Sequence, residues 1–158
     1  MFPGLGREWP HVIRRRPKVV SVGRLFGSSE PSRLEPDSAF VRWGGQEFFD
    51  RLVERFYEGV EADPLLRPMY PEDLTEGKVH LALFLAQYWG GPRRYEELRG
   101  HPRLRMRHAP FVIGPNEADA WLRHMVASVD ASGLVGPDRE ELVGYLAMAA
   151  HSLTNSAL

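Results

Sequence analysis

Residues 101–111 read His-Pro-Arg-Leu-Arg-Met-Arg-His-Ala-Pro-Phe, which sets one imidazole, His108, at the end of a cationic stretch and just before a Pro-Phe break. A neutral imidazole nitrogen can bind iron, and it is the usual proximal ligand of a haem that keeps its second axial position open. Arg103, Arg105 and Arg107 suit that chemistry, because guanidinium groups pair with carboxylates and haem carries two propionates. On spacing alone the alternative stays open: a histidine making an ordinary hydrogen bond beside a solvated arginine run.

Three polar-tipped aromatics form a second group, Tyr57, Tyr70 and Trp121, each with a donor to aim. Taken singly they read as core aromatics whose O–H or N–H finds a backbone partner. Converging on one cavity, they would donate to a small ligand carrying accumulated negative charge. The other five histidines offer no rival site, since no His-Glu-x-x-His pair exists and Pro102 interrupts the seven-residue spacing of His101 and His108. His80, His124 and His151 sit within helical patterns and read as structural. Signatures of the Gly-x-Gly-x-x-Gly, phosphate-loop and Gly-x-Ser-x-Gly types are missing, so nucleotide chemistry and acyl transfer have no support. Without cysteine there is no disulfide framework, thiolate zinc site, iron–sulfur cluster or cysteine nucleophile.

The elements that must position these residues are helical. From about Phe40 onward no segment alternates with the period of a half-buried strand, and the domain is expected to be all-α. A first helix carries Phe49, Leu52, Val53, Phe56 and Val60 at three- and four-residue spacing and stops at Asp63-Pro64. A second is expected to start with Thr75 as N-cap, to carry Val79, Leu81, Ala82, Phe84, Leu85, Tyr88 and Trp89, and to stop at Gly90-Gly91-Pro92. Being apolar on most sides, it is expected to be central. After the Arg-rich segment, Asn116 is expected to cap a helix bearing Ala118, Trp121, Leu122, Met125 and Val129, ending at Gly133. Pro137 suits the first turn of a last helix with Leu142, Val143, Leu146, Ala149, Ala150 and Leu153. Four substantial helices with irregular connections imply a small two-layer fold able to hold a cofactor between layers.

The chain has 158 residues, enough for one domain with a real core, and its formal charge of -1 exerts no overall pull toward nucleic acid or an anionic membrane. No apolar run is long enough to span a bilayer and no secretion signal is visible, so the chain reads as soluble and cytoplasmic. Charge is uneven: residues 1–38 hold seven Lys or Arg against four acids, together with five prolines and the cluster Arg14, Arg15, Arg16 and Lys18. Residues 1–38 therefore read as a basic, Pro-rich extension, largely disordered, and residues 39–158 as the folded domain.

Several blocks together resemble the group II, or O-type, truncated haemoglobins of bacteria. They are Trp43-Gly44-Gly45, Phe56-Tyr57, Tyr70-Pro71-Glu72-Asp73, Gln87-Tyr88-Trp89-Gly90-Gly91-Pro92, Arg99 to Phe111, Asp119-Ala120-Trp121-Leu122-Arg123 and Ala149-Ala150-His151-Ser152-Leu153. The resemblance implies a shortened globin fold, two helices over two, around haem b (protohaem IX, iron). It also implies His108 as proximal iron ligand, Tyr57, Tyr70 and Trp121 as the distal pocket, and Leu81 and Phe84 against the haem. Arg107 and Tyr95 would neighbour the propionates. Because the link from Tyr70 to Leu81 is one residue shorter than the family pattern, either Gly77 or Lys78 would stand at the distal gate. The implied function is reversible binding of O2 and other small diatomic ligands at ferrous iron, for storage or redox chemistry. Peroxidase-like or nitric-oxide-detoxifying turnover is the enzymatic alternative, with a reductase and a second copy of the chain as candidate partners. Two readings of other classes stay beside it: a haem-free helical interaction module, and a nucleic-acid binder using Arg14 to Lys18 and Arg99 to Arg107.

Overall fold

A computed structural model describes residues 34–157, and all but the end of the N-terminal extension lies outside the described residues. Every regular element among the described residues is helical. They run in the order α1 (Ala39–Trp43), α2 (Gln46–Ala62), a 3-10 turn (Arg67–Met69), α3 (Thr75–Tyr88), α4 (Arg94–Arg99), α5 (Leu104–His108), α6 (Pro115–Ala131) and α7 (Gly136–Ser152). The four long helices, α2, α3, α6 and α7, correspond to the four expected ones. Helix α2 packs on α3 and on α6, and α6 packs on α7, which gives a two-over-two helical sandwich. No helix among the described residues is long and apolar enough to cross a membrane.

Helix α2 buries the stripe its spacing demands: Phe49, Leu52, Val53, Phe56 and Val60 have no exposed surface. Each such side chain contributes roughly 1.5–3 kcal/mol by leaving water. Asp63 ends the helix and begins the next turn, because its Oδ1 accepts from the N–H groups of Leu65 (2.9 Å) and Leu66 (3.4 Å). Its Oδ2 accepts from His124 Nε2 on α6 at 2.7 Å, so the same carboxylate ties α2 to α6. Glycine is required at position 59 for this contact, since a Cβ there would lie 2.4 Å from His124 Nδ1.

The pair has a pH signature. Asp63 is held below the usual carboxylate range, chiefly by the hydrogen bond from His124 and also by the two backbone N–H groups. A depressed folded pKa contributes stability that is present above the unfolded value of about 3.9 and is lost as pH falls through the lower folded value. Urea unfolding should therefore show stability falling below about pH 4, and the fall should be shallower in Asp63→Asn, which keeps a cap acceptor but cannot titrate. Equal slopes in the two proteins would contradict the pairing.

Two helix starts differ from expectation. Thr75 is the first residue of α3 rather than its cap, and the Asp73 side chain accepts from the Thr75 N–H at 2.9 Å. Asn116 lies inside the first turn of α6, which begins after Gly114, and Glu117 Oε2 accepts from the Gly114 N–H at 2.9 Å. Both carboxylates satisfy N–H groups that the first helical turn leaves without partners. Helix α3 is also less central than its composition suggests, with Val79 48% and Tyr88 38% exposed. Its buried face is Gly77, His80, Ala82, Phe84, Leu85 and Ala86.

After α3 the chain reverses at Gly90, whose φ of +100° favours glycine, and Gly91 N–H closes the turn on Ala86 O at 2.8 Å. The turn docks α1 against it, with Phe40 N–H donating to Trp89 O at 2.9 Å. Between this turn and α6 the chain forms only the two short helices α4 and α5, joined by irregular backbone, and this stretch delivers His108.

Candidate haem pocket

A cavity lies between the helix pairs. Seven of the side chains singled out from sequence line it: Tyr57, Tyr70, Leu81, Phe84, Tyr95, His108 and Trp121. The eighth, Arg107, stands behind Tyr95, with its Nη1 3.4 Å from the Tyr95 hydroxyl and its Nη2 donating to Arg99 O at 3.2 Å.

His108 closes the five-residue α5 and is buried. Its Nδ1 lies 2.6 Å from Leu104 O. A carbonyl only accepts, so Nδ1 carries the proton and the lone pair resides on Nε2. Burial, opposed by that hydrogen bond, holds the ring below the usual histidine range and keeps it neutral at physiological pH. A neutral imidazole whose other nitrogen donates to a carbonyl is the form in which histidine binds metals.

The three polar aromatics converge. Tyr57 and Tyr70 meet edge to face with centroids 5.8 Å apart, and Phe56 supports Trp121 at 5.4 Å. Burial raises the hydroxyl pKa of both tyrosines, so both remain O–H donors, and the Trp121 indole beside Tyr70 partly offsets the rise there. Tyr70 is presented by a loop that Arg67 staples, its guanidinium donating to the carbonyls of Tyr70 (3.3 Å), Pro71 (2.9 Å) and Glu72 (3.1 Å). Lys78 is drawn away toward α2, its Nζ 2.7 Å from Glu54 Oε1, and Gly77 is buried without a side chain to offer.

His80 adds a polar group that the sequence reading did not place at the cavity. Expected to be structural, it is buried on the cavity wall, and its Nδ1 has no hydrogen-bond partner. Burial, then the neighbouring Arg99 and Arg107, hold it below the usual histidine range against the opposing Glu76. The sequence placed His80 within a helical pattern, but nothing local marked it as facing a cavity. His124 and His151 do lie outside the cavity, on Asp63 and 3.6 Å from Asp119 respectively.

Residues 38–155 match the family model of the bacterial-like globins. A group 2 truncated hemoglobin of Bacillus subtilis (strain 168) is 48% identical over 111 residues, covering 70% of this chain and 84% of the relative. The chain belongs to the group II truncated haemoglobins. Among solved structures, a thermostable hemoglobin from the actinobacterium Thermobifida fusca is 55% identical, with a TM-score of 0.73 over 75% of this chain and 97% of that one. A truncated oxygen-avid haemoglobin from Bacillus subtilis is 44% identical, with a TM-score of 0.72 over 75% of this chain and 100% of that one.

As a truncated haemoglobin the protein is a gas-binding haem globin whose cofactor is haem b, and the haem-free reading gives way. The residues fit that group. The cavity wall is overwhelmingly apolar, as a porphyrin face requires, and it holds a neutral imidazole. At one edge two buried nitrogens, His80 Nδ1 and Arg107 Nε, lack partners in a cluster with Arg99 and Tyr95. Burial and the neighbouring Arg99 and Arg103 lower the Arg107 pKa, the mark of a cation short of counter-charge. Carboxylates of a ligand would supply that charge.

Proposed function

We propose that this truncated haemoglobin binds O2 reversibly and releases it slowly, with His108 as the axial ligand and Tyr57, Tyr70 and Trp121 as distal donors. The observation that carries the reading is the sharing of one apolar cavity by a neutral imidazole and three aromatic O–H or N–H groups. When bound, haem would supply a ferrous iron able to take up a diatomic gas. His108 offers the Nε2 lone pair, and the Leu104 carbonyl fixes its tautomer and orientation. Arg107, Tyr95 and His80 hold the propionate edge. Leu81, Phe84 and Leu85 exclude water, which strengthens hydrogen bonding inside.

The donors decide the kinetics. A hydrogen bond to a charged acceptor contributes about 1.5–3 kcal/mol, a roughly 10- to 150-fold slower release if it is lost on departure. That magnitude disfavours rapid delivery and favours storage, sensing or redox chemistry, in keeping with the oxygen-avid relative. Reversible binding needs iron kept ferrous, so the reading includes a reducing partner. The haem domain is assigned to residues 39–158. The test is O2 dissociation from the reduced holoprotein by stopped flow, beside a Tyr57→Phe, Tyr70→Phe, Trp121→Phe triple variant. Release should be at least about tenfold slower in the parent. Equal rates would overturn the assignment of the distal donors.

A further inference from the structure

The tail after α7 returns to the segment just beyond His108. Asn155 uses both halves of its side-chain amide there: Oδ1 accepts from the Ile113 N–H at 2.9 Å, and Nδ2 donates to Phe111 O at 2.8 Å and reaches His108 O at 3.4 Å. The backbone adds two bonds at the same place, from the N–H groups of Asn155 (2.9 Å) and Ser156 (3.1 Å) to Ile113 O. The orientation of the amide is set by its partners, an N–H on one side and two carbonyls on the other.

These bonds matter because α5 cannot hold itself. Five residues lie far below the length at which a helix is stable alone. It has no side-chain N-cap, and it opens on Arg103 with a φ of +43°. Its last carbonyls need partners from outside. The His108 carbonyl takes the Phe111 N–H at 3.0 Å and the Asn155 amide. Ile113, gripped on both its N–H and its carbonyl, lines the same cavity as His108.

We propose that Asn155 is a positioning residue for the proximal side of the haem: from 47 positions away it fixes the backbone of His108 and so the angle and reach of the imidazole. The inference rests on His108 being the axial ligand. Outer partners that orient a metal ligand typically change affinity by about 10- to 100-fold when removed.

The experiment uses the full-length holoprotein with Asn155→Asp and Asn155→Ala, and Thr154→Ala as a substitution at the adjacent position. Aspartate has the same shape but sets an oxygen against two carbonyls, so a packing role alone would tolerate it. In both Asn155 variants the iron–imidazole stretching band of the ferrous protein should shift or broaden. Transfer of haem to excess apomyoglobin should quicken by about tenfold or more. Thr154→Ala should match the parent. In the unsubstituted protein the Ile113 amide should be protected from hydrogen exchange, a readout that does not depend on any variant folding. An unchanged band and haem-loss rate in Asn155→Asp, or an unprotected Ile113 amide, would overturn the proposal. If the band survives His108→Ala, the axial reading fails instead, which keeps the two failures apart.

Discussion

His108→Ala is expected to abolish the five-coordinate ferrous absorption spectrum of the reduced protein, the largest single effect in the molecule. The substitution removes the nitrogen whose lone pair the Leu104 carbonyl directs onto Nε2. Losing the ligand itself should exceed the roughly 10- to 100-fold penalty typical of losing a group that merely orients one. Retention of haem is the weaker readout, because contact of the porphyrin's apolar surface with the apolar cavity wall does not depend on the imidazole. The spectrum is the stronger one. His80 also lines the cavity with a partnerless Nδ1, so the double variant His108→Ala, His80→Ala removes both imidazoles that line it among the described residues. In His108→Gly, added imidazole should restore the five-coordinate signature. A parent-like spectrum and haem content in the double variant would refute the axial assignment.

How much of this was legible in the sequence depends on the range of each interaction. The stripe Phe49, Leu52, Val53, Phe56 and Val60 announces α2 because burial on one helix face repeats every three to four residues. His108 stood out because a cationic, Pro-flanked segment makes a poor core helix. The caps were misplaced by one or two positions, since Thr75 and Asn116 are sound N-cap types, and only coordinates show that Asp73 and Glu117 supply the acceptors. The exposure of Val79 and Tyr88 escaped composition because α3 covers its neighbours with one face only. His80 depends on the phase of α3 relative to α4 and α5, and Asn155 on a contact spanning 47 positions. Neither leaves a periodic trace. Family resemblance grouped the pocket residues as neighbours, and seven of the eight line one cavity, whereas residue chemistry alone left open whether the aromatics converge or serve singly in the core.

Trp121→Phe isolates one donor with little structural cost. Phenylalanine keeps an aromatic ring against Phe56, where the centroids are 5.4 Å apart, and α6 stays anchored to α2 through His124 and Asp63. Only the indole N–H and the second ring are lost, on a residue that is half-buried. Haem content should therefore stay within the range of the parent, while O2 dissociation should quicken by about 10- to 150-fold, the equivalent of one hydrogen bond to a charged acceptor. Carbon monoxide gathers less negative charge when bound and should respond less. Tyr57 and Tyr70 pack edge to face in the same cavity and stay protonated because burial raises their pKa values, so they remain to donate. The losses in Trp121→Phe and Tyr70→Phe should accordingly be non-additive in a double-mutant cycle, because neighbouring donors share one acceptor. Additive effects would mean that the two groups serve different ligand positions, and an O2 off-rate unchanged in Trp121→Phe would remove the indole from ligand stabilisation altogether.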